Sequence, residues 1–134
     1  LNRLDTIMTG YLQNIEEITL KNEYFRQVLF TGEFTQLVVM SLAPAEAIGV
    51  EVHKNVDQFF RIEAGAGTVV MNGQEQQFKA GDAFIVPSGT EHNVINSSTD
   101  APLKLYTLYS PPHHKDGTIH KTKAEALTDH EDHV

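Results

Sequence analysis

Apolar and polar residues alternate with a period of two through the middle of this chain, and Gly, Pro and Asn interrupt the alternation at short intervals. The pattern predicts strands over 24–31 and 34–42, joined by a turn at Thr31-Gly32-Glu33. A loop over 44–49 leads to a short strand at 50–53. Residues 58–63 and 68–71 read as a hairpin across Ala64-Gly65-Ala66-Gly67. Asn72-Gly73 is the strongest hairpin signal, because both residue types tolerate positive φ, and it leads into a strand at 76–79. Ala80-Gly81-Asp82 then turns into 83–86, Pro87 and Gly89 break that strand, and 92–96 resumes the alternation. After a polar loop at 97–102, the last strand runs over 103–109.

Helical patterning is confined to the ends. Residues 15–20 suit one short turn, and Thr122-Lys123-Ala124-Glu125 has capping-box form ahead of Ala126-Leu127. Pro111-Pro112 ends the last strand, and the polar tail beyond Leu127 reads as mobile and solvated. Many short strands divided by Gly and Pro turns indicate an all-β sandwich or jelly roll with short helical segments at the termini. Residues 1–20 form an N-terminal extension, 21–112 the barrel, and 113–134 a C-terminal segment with a short helix.

A length of 134 residues is enough for one domain with a real core. The chain has no cysteine, which removes disulfides, thiolate chemistry and Cys-type zinc sites together, so any metal must be held by His, carboxylate or amide oxygen. A formal charge of -8 argues against nucleic acid and anionic membranes as partners and suits a small-molecule ligand. No apolar run approaches the roughly 20 residues that span a bilayer. The first residues, LNRLDTIMTG, lack the apolar core of a secretory signal, which makes the cytoplasm the default expectation.

Alternation also makes a geometric claim. Glu51 and His53 are two residues apart and point to one face of their strand. Gln58, Phe60 and Ile62 share a face, opposite Asp57, Phe59 and Arg61, and His92, Val94 and Asn96 share another. If the polar members of these strands face inward, Glu51, His53, Gln58 and His92 converge inside the barrel. A divalent cation is the natural partner for a carboxylate buried there. Phe60 is the expected pocket wall. Tyr106 and Tyr109 fall on opposite faces of the last strand, and Tyr106 is taken as the one that reaches the pocket. His113-His114, His120, His130 and His133 read as solvated loop and tail.

The run Gly81 to Asn96, GDAFIVPSGTEHNVIN, fits the pattern G-x5-P-x-G-x2-H-x3-N at every fixed position. With it the chain resembles a small single-domain cupin. The family's first motif, G-x5-H-x-H-x(3 or 4)-E-x6-G, is met by His53 and Gly65, with Glu51 at the place of the first His, Gln58 at the place of Glu, and Ala45 at the place of the leading Gly. The resemblance implies a double-stranded β-helix, or jelly-roll barrel, that forms a homodimer. It also implies one divalent transition metal held by Glu51, His53, Gln58 and His92. Two imidazoles and one carboxylate are the donor set of many non-haem iron centres, so iron is the first expectation, with manganese, nickel and zinc allowed. The implied activities include dioxygenase and isomerase chemistry on a small polar metabolite; the alternative is a non-catalytic barrel that binds a sugar-like molecule.

Overall fold

A computed structural model describes residues 9–134. The first part of the expected N-terminal extension, 1–8, lies outside the described residues. Both residues of the Asn72-Gly73 turn take positive φ, 48° and 81°, and join β4 (Ala66–Met71) to β5 (Gln74–Lys79) as the sequence requires. The other strands are β1 (Arg26–Thr31), β2 (Gln36–Leu42), β3 (Asp57–Ala64), β6 (Ala83–Val86), β7 (His92–Asn96), β8 (Leu103–Ser110) and the two-residue β9 (Ile119–His120). They make two antiparallel sheets, one in the order β6-β3-β8-β2-β1-β9 and one in the order β5-β4-β7, which is the all-β jelly roll that the patterning predicts.

The expected hairpin between 58–63 and 68–71 does not form. β3 pairs with β6 and β8, whereas β4 pairs with β5 and β7, so Gly65 carries the chain from one sheet to the other. The glycines serve close packing at this corner rather than a two-strand turn. A Cβ on Gly65, which sits at φ 95°, would lie 2.9 Å from the Pro102 carbonyl oxygen, and one on Gly67 would lie 2.2 Å from that of Ile95. The expected strand at 50–53 shrinks to a single bridge, Glu51 to His92.

Between the sheets, Val38, Met40, Leu42, Phe60, Ile62, Val69, Phe78, Val94, Leu103 and Leu105 form one apolar cluster. Their inward positions follow the period of two, and β8 alternates without a break from Leu103 to Tyr109. Outside the barrel lies α1 (Ile15–Lys21), a full short helix rather than a single turn, capped by the Asn14 side chain accepting from the Glu17 N–H at 3.0 Å. The second helix, α2 (Lys123–Thr128), starts at Thr122, whose hydroxyl accepts from the Glu125 N–H at 3.2 Å. No described helix is long and apolar enough to cross a membrane.

Candidate metal centre and its cavity

Short backbone links lock the 81–96 run against the 51–58 segment. Pro87 and Gly89 (φ 78°) end β6 and reverse the chain, with the Thr90 N–H donating to the Pro87 carbonyl at 3.1 Å. The Gly89 N–H then donates to the His53 carbonyl at 2.9 Å, and the Ser88 N–H to the Asp57 carboxylate at 2.9 Å. Two residues further on, Glu51 and His92 exchange both N–H···O=C bonds at 2.9 Å. Reciprocal pairing of this kind puts the two side chains next to each other on one face, and His53 joins them from two positions along.

One donor atom from each of Glu51, His53 and His92 lies within 4.8 Å of the others. The Glu51 carboxylate stands 3.7 Å from His53 Nε2, and the two imidazole centroids are 5.2 Å apart. Thr90's carbonyl accepts from His92 Nδ1 at 2.9 Å, so that nitrogen carries the proton and Nε2 presents its lone pair. His53 Nε2 is buried and has no hydrogen-bond partner among the described residues. Burial first, then neighbouring His113 and His92, push His53 down to about 3, so the ring is a neutral donor at ordinary pH. Burial raises the Glu51 carboxyl despite the opposing pull of Arg26. A cation at the centre would offset that desolvation and complete the orphaned His53 nitrogen. Gln58 is buried beside the trio; its Nε2 donates to the Thr107 hydroxyl at 3.0 Å, leaving Oε1 buried and unpaired among the described residues.

The cupin domain family matches residues 38–109, the segment that carries both halves of this constellation. The chain belongs to the cupin family. An uncharacterized protein from Bacillus subtilis strain 168, YrkC, is 46% identical over 123 residues, which cover 87% of this chain and 66% of that protein. An uncharacterized protein of Acanthamoeba polyphaga mimivirus, L612, is 44% identical over 113 residues, or 81% of this chain and 70% of its own length. Among solved structures, BH2720 from Bacillus halodurans superposes with a TM-score of 0.87 at 41% identity, covering 89% of this chain and 94% of that one. KdgF from a Halomonas species shares the fold, with a TM-score of 0.60 at 22% identity over 65% of this chain and 77% of its own.

This cupin barrel is closed at the end that holds Glu51, His53 and His92 by its C-terminal segment, contrary to the expected solvated loop and tail. The buried Gln36 side chain accepts from the N–H groups of His113 and His114 at 3.1 and 2.9 Å and donates to the His114 carbonyl at 2.7 Å. That pins the chain as it leaves β8. His114 is 1% exposed; its Nδ1 donates to Asp132 at 2.8 Å, and Tyr109's hydroxyl donates to its Nε2 at 3.2 Å. Burial and the nearby Arg26 charge hold His114 neutral by lowering its pKa. The His113 ring packs between His53 and His133, both centroids 4.3 Å away. His120 is buried as well, whereas His130 stays largely at the surface beside the cavity.

The cavity beside Glu51 measures about 400 Å³ and is bordered by Arg26, Ile48 and Glu51 from the barrel side and by Asp129, Asp132 and His133 from the C-terminal side; His53, Gln58 and His92 do not border it. Neither expected pocket residue borders it. Phe60 lies one step deeper than Gln58, stacked on Phe84 at 4.8 Å within the apolar core. Tyr106 points out of the barrel toward Phe59, and Tyr109, on the inward face, is the tyrosine that meets His53 edge-on at 5.8 Å. Patterning along β8 separates the two tyrosines correctly but does not say which face is inside. Arg26, Asp132 and Tyr109 escape a motif-based reading because they belong to no motif. The inward alternation of Arg26 with Val28 was the one signal available for it.

Proposed function

We propose that this cupin binds one divalent transition-metal ion through Glu51, His53 and His92, with Gln58 alongside, and acts on a small polar metabolite in the adjoining cavity. The buried, partnerless His53 Nε2, set against Glu51 and His92, carries this reading. Two imidazoles and one carboxylate suit iron(II) first, and manganese, nickel or zinc after it. A metal in this setting supplies Lewis-acid polarisation of a bound oxygen or a place for dioxygen, which fits dioxygenase or isomerase chemistry. The protein's own contribution is to fix the His92 tautomer through the Thr90 carbonyl and to exclude water through the C-terminal segment.

The neutral Gln58 favours a second reading, a non-catalytic barrel that captures a sugar-like molecule, because it removes the carboxylate usual at that place. As the assembly we propose a homodimer. Ile85, Phe59, Leu108 and Leu37 form a cross-strand apolar row on the outer face of the larger sheet, and Ile85 is 59% exposed. A dimer mass in solution that becomes a monomer mass in Ile85→Glu supports that face; a wild-type monomer removes it.

The metal reading is tested by elemental analysis of protein purified without added metal, followed by titration with Fe(II), Mn(II), Ni(II) and Zn(II). A stoichiometric site is expected, weakened at least about tenfold by Glu51→Ala and by His92→Ala. Unchanged affinity in both variants removes the ligand assignment, and turnover in a substrate screen separates the enzyme from the binding barrel.

A further inference from the structure

Arg26 presents a buried cation with very little to neutralise it. The residue lies on the inward face of β1 opposite Met40, is 6% exposed, and borders the cavity beside Glu51. A guanidinium has five N–H donors. Among the described residues its one hydrogen bond runs from Nη1 to His120 Nδ1 at 3.2 Å, its Nε is buried without a partner, and no carboxylate pairs with it directly. His120 cannot neutralise the charge, because it accepts from Arg26 at Nδ1 and spends its Nε2 proton on Asp129 at 2.9 Å. The Phe25 ring, 5.2 Å from the guanidinium carbon, helps to fix the group in place.

A guanidinium held in this way by packing and one imidazole, with donors to spare at a cavity wall, is built to receive a planar oxyanion. We propose that Arg26 is the anion-recognition residue of the cavity and that the ligand is a small carboxylate, its carboxyl group on Arg26 and its remainder directed toward Glu51. This rests on the metal reading for the far end of the ligand but not for the Arg26 end. Glu51, Asp129 and Asp132 also border the cavity, so a singly charged carboxylate suits it better than a phosphate dianion. The cavity of about 400 Å³ sets the scale at a small organic acid rather than a polymer.

Calorimetric titration with glycolate, its neutral analogue glycolamide and inorganic phosphate tests the assignment on the zinc-loaded and the EDTA-treated chain. Glycolate is expected to bind the wild type, and Arg26→Gln should weaken it about tenfold or more while glycolamide is unaffected. Arg26→Lys keeps the charge without the paired donors, and a several-fold loss is expected there also; it carries the test if Arg26→Gln fails to fold by circular dichroism. Persistence of the Arg26-dependent difference after EDTA treatment supports the subsite independently of any metal. Zinc affinity should be unchanged or tighter in Arg26→Gln, since a nearby positive charge has been removed. Equal glycolate affinity in wild type and both variants overturns the proposal while leaving the metal site standing. Arg26-dependent selection of phosphate over glycolate overturns the carboxylate assignment. Failure of Fe(II), Mn(II), Ni(II) and Zn(II) all to bind, with Arg26-dependent glycolate binding retained, sinks the metal reading alone.

Discussion

The two ends of the barrel are built from the same strands with the same alternation, yet they bury opposite chemistry. At one end β2, β8 and β3 align Leu42, Leu103, Leu105 and Ile62 in register, all fully buried and apolar. At the other end the same strands align Gln36, Tyr109 and Gln58, with His53 and His92 across from them, and these are buried almost as deeply. Burial at the first end stabilises by removing apolar surface from water. Burial at the second end costs free energy wherever a polar atom goes unpaired. His53 Nε2 and Gln58 Oε1 are such atoms at the polar end, and Arg26, whose Nε is also unpaired, sits in register with Met40 and Leu105 but borders the cavity beside Glu51. Folding alone gives no reason to assemble them, and the proposed binding site rests on this difference between the ends.

Substitutions at the two ends should therefore have separable effects. Leu105→Ala at the apolar end should lose about 2–5 kcal/mol in denaturant unfolding, with metal affinity of the folded protein unchanged. A metal defect there would erase the division. Gln36→Leu is next, at about 1–3 kcal/mol, because it leaves the buried N–H groups of His113 and His114 without their acceptor. It should also loosen the C-terminal segment, seen as faster amide exchange around His114 and Asp132; unaltered exchange would mean that Gln36 does not hold the closure.

Acid should act on the polar end first. His53 and His113, held down to about 3 and about 4 by burial and by each other's neighbours, and His114, lowered in the same direction, stay neutral in the folded protein. In the unfolded chain these rings take up protons near 6.5. The unfolded state then binds more protons below that pH, so stability of the metal-free protein falls as pH drops from neutrality toward 4. Glu51, raised by burial, works the opposite way as a single group against three. Denaturant midpoints that stay level or rise between pH 7 and pH 5 would contradict the neutral, buried imidazoles.

The apolar end was legible from sequence, and the polar end only in part. Alternation sorts the inward from the outward side chains of β3, β7 and β8, and the G-x5-P-x-G-x2-H spacing places His92 at a strand entrance. Asn96, which ends that motif, turns out to tie loops at the far end, where its side chain donates to the carbonyls of Ala43 and Ala101 and accepts from Ser98. Local signals fail where contacts are long-range. The corner at Gly65 looks like a hairpin because nothing nearby reveals that β8 separates β3 from other partners. The C-terminal closure depends on Gln36 with His114, 78 residues apart, and on Arg26 with His120, 94 residues apart. A run such as Asp-His-Glu-Asp-His has no periodicity of its own, so it reads as solvent-facing until its partners are known.

The smallest change sharpens the comparison most. Gln58→Glu restores the carboxylate usual for a cupin at that position without altering the side chain's size. In the metal-free protein it sets a second buried carboxylate near Glu51, where like charges and desolvation raise both pKa values and cost stability. A bound divalent cation relieves that repulsion, so the variant should bind metal more tightly while its metal-free form melts at a lower temperature. The gap between metal-free and metal-loaded melting temperatures should widen relative to wild type, because ligand binding to the folded state adds stability by mass action. A lower melting temperature with no gain in metal affinity would place Gln58 outside the coordination sphere, as a support for Thr107 alone. A wider gap would make the neutral amide the adjustment that keeps this end of the barrel stable without its ion.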